Sequence, residues 1–255
     1  MKAMILAAGL GTRLRPLTND RPKALVTVAG RTLLEIALSR LRSFGVSEVI
    51  VNAHHHAQMI VDYLKAYDNF GMRIEVSIEE NLLDTGCGLK HAAHFFMESA
   101  GSVPEPFILH NVDVLSTIDL GYMVSYHTKQ HALATLAVQE RESSRQLIFD
   151  EMCQLCGRRI VRSAKAESLE IQWARPGLGI QARAFCGIHV LSPLIFGKME
   201  EQGAFSIIDA YLRLASQDEK IVAFRADGYY WRDLGRPENL LQAAQDMYSG
   251  EYCDN

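Results

Sequence analysis

The 255-residue chain is 48% hydrophobic, enough to bury a sizeable core, and an α/β domain of this length need not be divided in two. Its 26 Lys and Arg stand against 30 Asp and Glu, a formal net charge of -4, so there is no global basic surplus for nucleic acid and any anion site is local. No stretch approaches the roughly 18 apolar residues of a membrane span. The start, MKAMILAAGLGTRLRPLT, turns basic at Arg13 and Arg15 without a signal-peptide apolar region or cleavage site, so a soluble cytoplasmic protein is expected.

In chain order, Lys2 to Ala8 is a short apolar run ending in glycines, a buried strand entering a loop. Thr32 through Phe44 repeats Leu33, Leu34, Ala37, Leu38 and Leu41 at helical spacing, and Gly45 stands where a helix terminates. Glu48–Asn52 reads as a strand, Gln58–Ala66 as a helix, Arg73–Ile78 as a strand, Gly88–Met97 as a helix, and Pro106–Asn111 as a strand leading into Asp113. This alternation predicts crossover units and a largely parallel sheet, with ligands beyond the strands' carboxyl ends, where Gly9–Arg13 and Asp113 fall.

Beyond residue 130 the pattern changes to shorter strands, at Ala132–Gln139, Gln146–Phe149, Arg159–Arg162 and Ala182–Val190. Ser206–Ala215 and Pro237–Tyr248 close the chain as helices. A single domain over 1–255 is expected, with a nucleotide-binding half over about 1–130 and an acceptor half over about 131–255. Ala164–Gln181, with Pro176, Gly177 and Gly179, reads as a loop, either a lid or an ordinary surface insertion.

The five cysteines are odd in number and widely spread, which argues for thiols; Cys153 and Cys156 form a C-x-x-C, but no second ligand pair for zinc stands nearby. His54, His55 and His56 cannot all face one ion from an extended stretch, so a strand-to-helix loop is the expectation there.

The strongest chemical signal is Leu6-Ala7-Ala8-Gly9-Leu10-Gly11-Thr12-Arg13-Leu14-Arg15-Pro16. Glycines let backbone N–H groups approach phosphate oxygens, and Arg13 and Arg15 offer planar donors to them, so a polyphosphate site is inferred. The dinucleotide fingerprint needs glycine where Leu14 stands, and the P-loop ending G-K-[ST] is absent. Arg21-Pro22-Lys23 follows within one loop, with Pro22 holding the chain extended and Lys23 able to supply a compact point charge.

The pattern L-A-A-G-x-G-T-R-x-x-P-x-T followed by R-P-K resembles the sugar-1-phosphate nucleotidylyltransferases. So do Asp84-Thr85-Gly86-Cys87-Gly88, Asn111-Val112-Asp113, Phe185-Cys186-Gly187 and Trp231-Arg232-Asp233-Leu234-Gly235, in that order and over essentially the whole chain. The resemblance implies a Rossmann-like three-layer α/β/α fold with a predominantly parallel, mixed central sheet. It implies transfer of a nucleotidyl group from a nucleoside triphosphate to a sugar 1-phosphate, giving pyrophosphate.

By the same resemblance Leu6, Ala8 and Gly9 lie against base and ribose, while Gly11, Thr12 and Arg13 wrap the β- and γ-phosphates. Lys23 meets the α-phosphate, Asp84–Gly88 reads the base with Gly86 permitting its close approach, and Asn81 is a further base contact. Asp113 and Asp233 are the implied Mg2+ carboxylates; Arg13, Lys23 and Asp113 are the implied catalytic set. Small bacterial members making UDP-N-acetylmuramic acid or GDP-mannose look closest in length, and UTP is the favoured donor.

The sequence departs from the family at Val112, where glycine is usual, which narrows the space expected for the acceptor sugar. It also lacks the acceptor-side Glu-Lys-Pro; around 163–181 it offers Lys165, Glu167, Glu170 and Arg175. Asp209 and Trp231 are candidates near the acceptor, with helix-face and packing roles as their ordinary alternatives; Trp173 reads as a packing residue. Two other readings are a catalytically silent sugar-nucleotide sensor, against which both acids argue, and a dinucleotide oxidoreductase, against which the loop argues. Monomer and small homo-oligomer both stay open.

Overall fold

A computed structural model of the chain describes residues 1–98, 105–161 and 169–252. The first half runs β1 (Lys2–Leu6), β2 (Thr27–Val28), β3 (Arg31–Thr32), α1 (Leu33–Ser43), β4 (Glu48–Ala53), α2 (Ala57–Ala66), β5 (Arg73–Ile78), α3 (Asp84–His91), α4 (Ala93–Met97), β6 (Phe107–Asn111) and β7 (Val114–Ser116). The second runs α5 (Leu120–Gln130), β8 (Ala134–Gln139), β9 (Arg145–Phe149), β10 (Leu155–Val161), β11 (Leu169–Trp173), β12 (Gln181–Leu191), α6 (Ile207–Ser216), β13 (Ile221–Arg225), β14 (Trp231–Asp233) and α7 (Pro237–Ser249).

Local chemistry accounts for the helix ends. Thr32 Oγ1 accepts the Glu35 N–H at 3.0 Å, Asp119 caps α5 through the Tyr122 N–H at 2.8 Å, and Ser206 caps α6. Gly45, at φ +77°, takes the left-handed turn after α1.

Ten strands form one mixed sheet in the order β11-β10-β9-β12-β6-β1-β4-β5, with β8 also joined to β12 and β13 to β8. The four strands β6-β1-β4-β5 are parallel throughout. β12 then runs antiparallel to β6, β8 and β9, and so carries the second half of the chain on the same sheet.

Side-chain alternation along β1 shows the three layers. Ala3 and Ile5 pack into a core with α1, α2, α5 and α7, whereas Met4 packs into a second core with α3, α4 and α6. The parallel strands point their carboxyl ends, Leu6, Ala53, Ile78 and Asn111, to one edge, and the site lies there.

Several boundaries differ from the sequence reading. The first helix after β5 starts at Asp84, not Gly88, because Asp84 itself turns the chain at φ +60° with its Oδ1 accepting the Thr85 N–H. Within the expected loop 164–181, residues 164–168, including Lys165 and Glu167, lie outside the described residues; Leu169–Trp173 is a strand paired with β10. Helix α5 and strand β13 are additional elements. Cys87, Cys153, Cys156 and Cys186 are thiols, while Cys253 lies outside the described residues. The three consecutive histidines occupy the β4–α2 connection, with His54 Nδ1 at 2.8 Å from the Glu79 carbonyl. Among the described residues no helix is long and apolar enough to cross a membrane.

His110, His127 and His189 are buried, and burial holds their pKa values down to about 4, 4 and 3. Their stabilising effect is complete above the unfolded value near 6.5 and is lost as pH falls towards the folded values. The unfolding free energy is therefore expected to fall between pH 7 and pH 5 by about 1–2 kcal/mol for each histidine, read as a lower urea midpoint. Denaturation of His127→Gln across this range should show a shallower slope than the parent; an unchanged slope contradicts the assignment.

Candidate active site

Where β1 ends, the chain enters the glycine loop. Gly11 has φ +63°, and a Cβ there would fall 2.9 Å from Thr18 Cγ2 and 3.1 Å from Lys23 Cβ, so the position demands glycine on both counts. Thr18 Oγ1 donates to the Gly11 carbonyl at 2.9 Å, tying the loop down beside Lys23, and buried Leu14 anchors the turn that holds Arg13. Pro22 is extended, and Lys23 opens the next short turn.

Two acids remote in sequence meet in front of this loop. Asp113 lies between β6 and β7, and Asp233 ends β14, which pairs antiparallel with β7 in the register Asp233↔Val114. The Leu234 N–H donates to the Asp113 carbonyl at 2.7 Å and closes the junction. The Lys23 ammonium pairs with Asp113 Oδ2, and Arg13 Nη1 lies 3.9 Å from Asp233 Oδ2.

Gly235 shows how tightly these groups converge. A Cβ there would lie 2.7 Å from Arg13 Nη2, 2.8 Å from Asp233 Oδ1 and 3.2 Å from Lys23 Nζ, and its N–H donates to Asp233 Oδ1 at 2.7 Å. Burial opposes ionisation of Asp113, but the adjacent Lys23 cation outweighs it and holds the carboxyl below its ordinary value. Burial and the neighbouring Asp113 push the Asp233 carboxyl upward. Such a pair of hard oxygen donors fits a divalent cation that would relieve their repulsion, with phosphate and water oxygens completing its shell.

Two cavities of about 560 Å³ each open along the sheet's carboxyl edge. The first is walled by Leu6, Ala8, Gly9, Lys23, Asn52, Glu79, Leu82, Asn111, Val112 and Asp113 among others. The second shares Leu6, Asp84, Thr85 and Asn111 with it and runs under the start of α6 to Ser206 and Asp209. Leu6, Ala8, Gly9, Lys23 and Asp113 thus meet on one wall. Gly11, Thr12 and Arg13 lie outside both linings, with Arg13 reaching back to Asp233.

Gly86 and Asn81 also lie off both linings. Gly86 does not open on either cavity: its N–H donates to the Phe205 carbonyl at 2.9 Å, and a Cβ would overlap the Phe205 ring. Thr85 Oγ1 accepts the Ile207 N–H at 3.0 Å, so this pair clamps the start of α6. Asn81 is exposed and off both walls. Val112 narrows the first cavity, not the one under α6.

The sequence reading missed Asn52 and Glu79, only 2% and 5% exposed. Asn52 Nδ2 donates to Glu79 Oε1 at 2.5 Å, the Leu83 N–H donates to Oε2 at 3.1 Å, and the missing Cβ of Gly88 makes room for both side chains. Their signal was polar residues at the ends of two parallel strands. Trp231 donates its Nε1–H to the Cys186 carbonyl at 2.7 Å and carries the Arg141 guanidinium 3.7 Å above its ring, a packing role. Trp173 is half exposed on β11.

The profile of the nucleotidyl transferase family matches residues 2–147. N-acetylmuramate alpha-1-phosphate uridylyltransferase of Caulobacter vibrioides is 32% identical over 251 residues, covering 94% of each chain. Mannose-1-phosphate guanylyltransferase 1 of Arabidopsis thaliana is 27% identical over 242 residues, 94% of this chain but 63% of the plant protein. A solved UDP-glucose pyrophosphorylase with UDP-glucose bound superposes with a TM-score of 0.73 over 98% of both chains at 20% identity, which establishes likeness of fold.

The packing of Gly86 yields a stability test. Gly86→Ala should destabilise the protein by about 1–3 kcal/mol, because the methyl must displace the Phe205 ring and loosen the α6 junction. Guanidinium denaturation reads it; an unaltered midpoint contradicts the clamp.

Proposed function

The chain belongs to the sugar-1-phosphate nucleotidylyltransferases of the nucleotidyl transferase family, and from that premise we propose that it transfers a uridylyl group from UTP to a sugar 1-phosphate with Mg2+. The observation that carries this reading is the convergence of Arg13, Lys23 and Asp233 around Gly235, with Asp113 paired to Lys23. The uridylyl-transferring relative of matching length supports UTP, and transfer of a guanylyl group to mannose 1-phosphate is the alternative.

In this reading the base and ribose rest against Leu6, Ala8 and Gly9, and the triphosphate runs towards Lys23 and Arg13. A phosphate monoester has a second pKa of about 6, so the sugar 1-phosphate arrives ionised and no general base is required. Its oxygen attacks the α-phosphorus in line. The bond from that phosphorus to the bridging oxygen breaks, and the electron pair departs with pyrophosphate.

Lys23 offsets charge on the α-phosphate and Arg13 on the departing pyrophosphate, while the loop and the acidic pair fix the geometry of attack. Asp113 and Asp233 would hold Mg2+, which when bound supplies neutralisation of phosphate oxygens. Lys23 would exchange Asp113 for a phosphate oxygen as substrate enters. A silent sensor has no use for a paired acid site that strains its own ionisation.

Pyrophosphate release from a matrix of nucleoside triphosphates and sugar 1-phosphates tests the reaction; the signal should be greatest with UTP. Lys23→Ala and Asp113→Asn should each lower kcat by about 10²-fold or more with circular dichroism unchanged. Near-parental turnover in either variant overturns its assignment.

A further inference from the structure

Two cations, Arg13 and Lys23, meet the acidic pair from the first half of the chain, and a third approaches it from the second half. Arg141 lies in the β8–β9 connection, outside both cavity linings. That connection is pinned on both sides: the Glu140 N–H donates to Asp227 Oδ1 at 2.6 Å, and Gln146 Nε2 donates to the Arg141 carbonyl at 3.2 Å. The guanidinium carbon lies 3.7 Å from the centre of the Trp231 ring, and Nη2 donates to the Phe185 carbonyl at 2.8 Å. Trp231 is itself fixed by its Nε1–H bond to the Cys186 carbonyl.

These two anchors bracket the place where an acceptor must react. Phe185 borders the cavity under α6. Trp231 and Asp233 are alternate residues of β14, so their side chains share one face of the strand, about 7 Å apart along it. The guanidinium thus bridges the rim of the acceptor cavity and one of the two convergent acids. Burial lowers its pKa, while Cys186 and Asp233 act in the opposite direction, so Asp233 is near enough for its charge to be felt.

The arginines of the cavity itself are otherwise engaged or solvated: Arg158 pairs with Asp209, Arg159 is bonded to the Gln146 amide oxygen, and Arg145 is exposed. Arg141 is half-buried, makes no ion pair among the described residues, and has its Nε buried without a hydrogen-bond partner. A desolvated cation in that state is completed by an anion. Stacked on an indole, its plane is fixed in advance, ready to meet phosphate oxygens with parallel N–H groups. We propose that Arg141 is a further catalytic residue, which grips the acceptor's 1-phosphate between the cavity under α6 and Asp233 and aims it at the α-phosphorus. One phosphate oxygen forms the new bond, while the guanidinium donates hydrogen bonds to the others and gives up no proton. This rests on the nucleotidyl-transfer reading above and adds the cation that serves the second anion, as Lys23 and Arg13 serve the first.

The test uses the full chain, UTP or GTP, and whichever 1-phosphate of glucose, mannose, N-acetylglucosamine or N-acetylmuramic acid the parent converts best, read by pyrophosphate release. Arg141→Gln keeps a donor for the Phe185 carbonyl but loses the charge. It should lower kcat/KM for the sugar 1-phosphate by about tenfold or more, the scale of a charge-assisted hydrogen bond, while KM for the nucleotide stays within about twofold. Arg141→Lys, which keeps the charge without the fork, should recover part of the loss. An unchanged kcat/KM for the acceptor in Arg141→Gln overturns the inference. So does an equal rise in KM for both substrates, with or without a lower thermal midpoint, which would make the arginine structural. A change confined to the Mg2+ concentration needed for half-maximal rate also overturns it, by assigning Arg141 to Asp233 alone. In each case the parent's turnover leaves nucleotidyl transfer standing. Transfer by the parent to none of the four acceptors overturns both readings.

Discussion

Two carboxylates pressed together in a half-buried cleft repel one another, and each loses hydration it would have in water. Asp113 and Asp233 are nevertheless brought together by the paired strands that carry them. The β7–β14 ladder and the hydrogen bond from the Leu234 N–H to the Asp113 carbonyl fix both main chains side by side. Lys23 and Arg13 compensate part of the repulsion, and the unequal shifts of the two carboxyls show that the compensation favours Asp113. The site is therefore poised for added positive charge, and the polyphosphate loop beside it is poised for negative charge.

The arrangement explains why small residues stand where they do. Gly11 lets the loop lie against Thr18 and Lys23, and Gly235 leaves a gap into which Arg13, Lys23 and Asp233 all point. Both glycines keep the charged side chains close enough to influence each other. A methyl at either place would drive apart groups whose combined field is the source of the proposed catalysis.

Much of the parallel half was legible because its elements are set by local pattern. β1 and α1 follow from hydrophobic runs with clear ends, Gly45 stops α1, and the phosphate loop announced itself through glycine and arginine spacing. The pairing of Asp113 with Asp233 came from resemblance alone, since a three-residue strand such as β14 has no periodicity and owes its existence to β7. Helix α5, LGYMVSYHTKQ, mixes glycine, aromatic and β-branched residues and is maintained by its Asp119 cap and by packing. The packing of Gly86 against Phe205 was not legible, because a glycine that admits a ligand and one that admits a phenyl ring look alike in sequence. Asn52 and Glu79 escaped because their meeting depends on β4 and β5 lying side by side.

The two cavities are joined by shared construction. β6 is the last parallel strand, and β12 adds to it in the opposite direction, so Asn111 at the end of β6 serves as wall to both spaces. The start of α6, which roofs the second cavity, is held by Thr85 and Gly86 at the start of α3, whose residues Asp84 and Thr85 border the first. This turn is tied to the start of α6 by one backbone hydrogen bond, one hydrogen bond to the Thr85 hydroxyl and the packing of Gly86 against the Phe205 ring. The two spaces thus share walls and a hydrogen-bonded frame, which suits a reaction that must bring two anions onto one phosphorus in line.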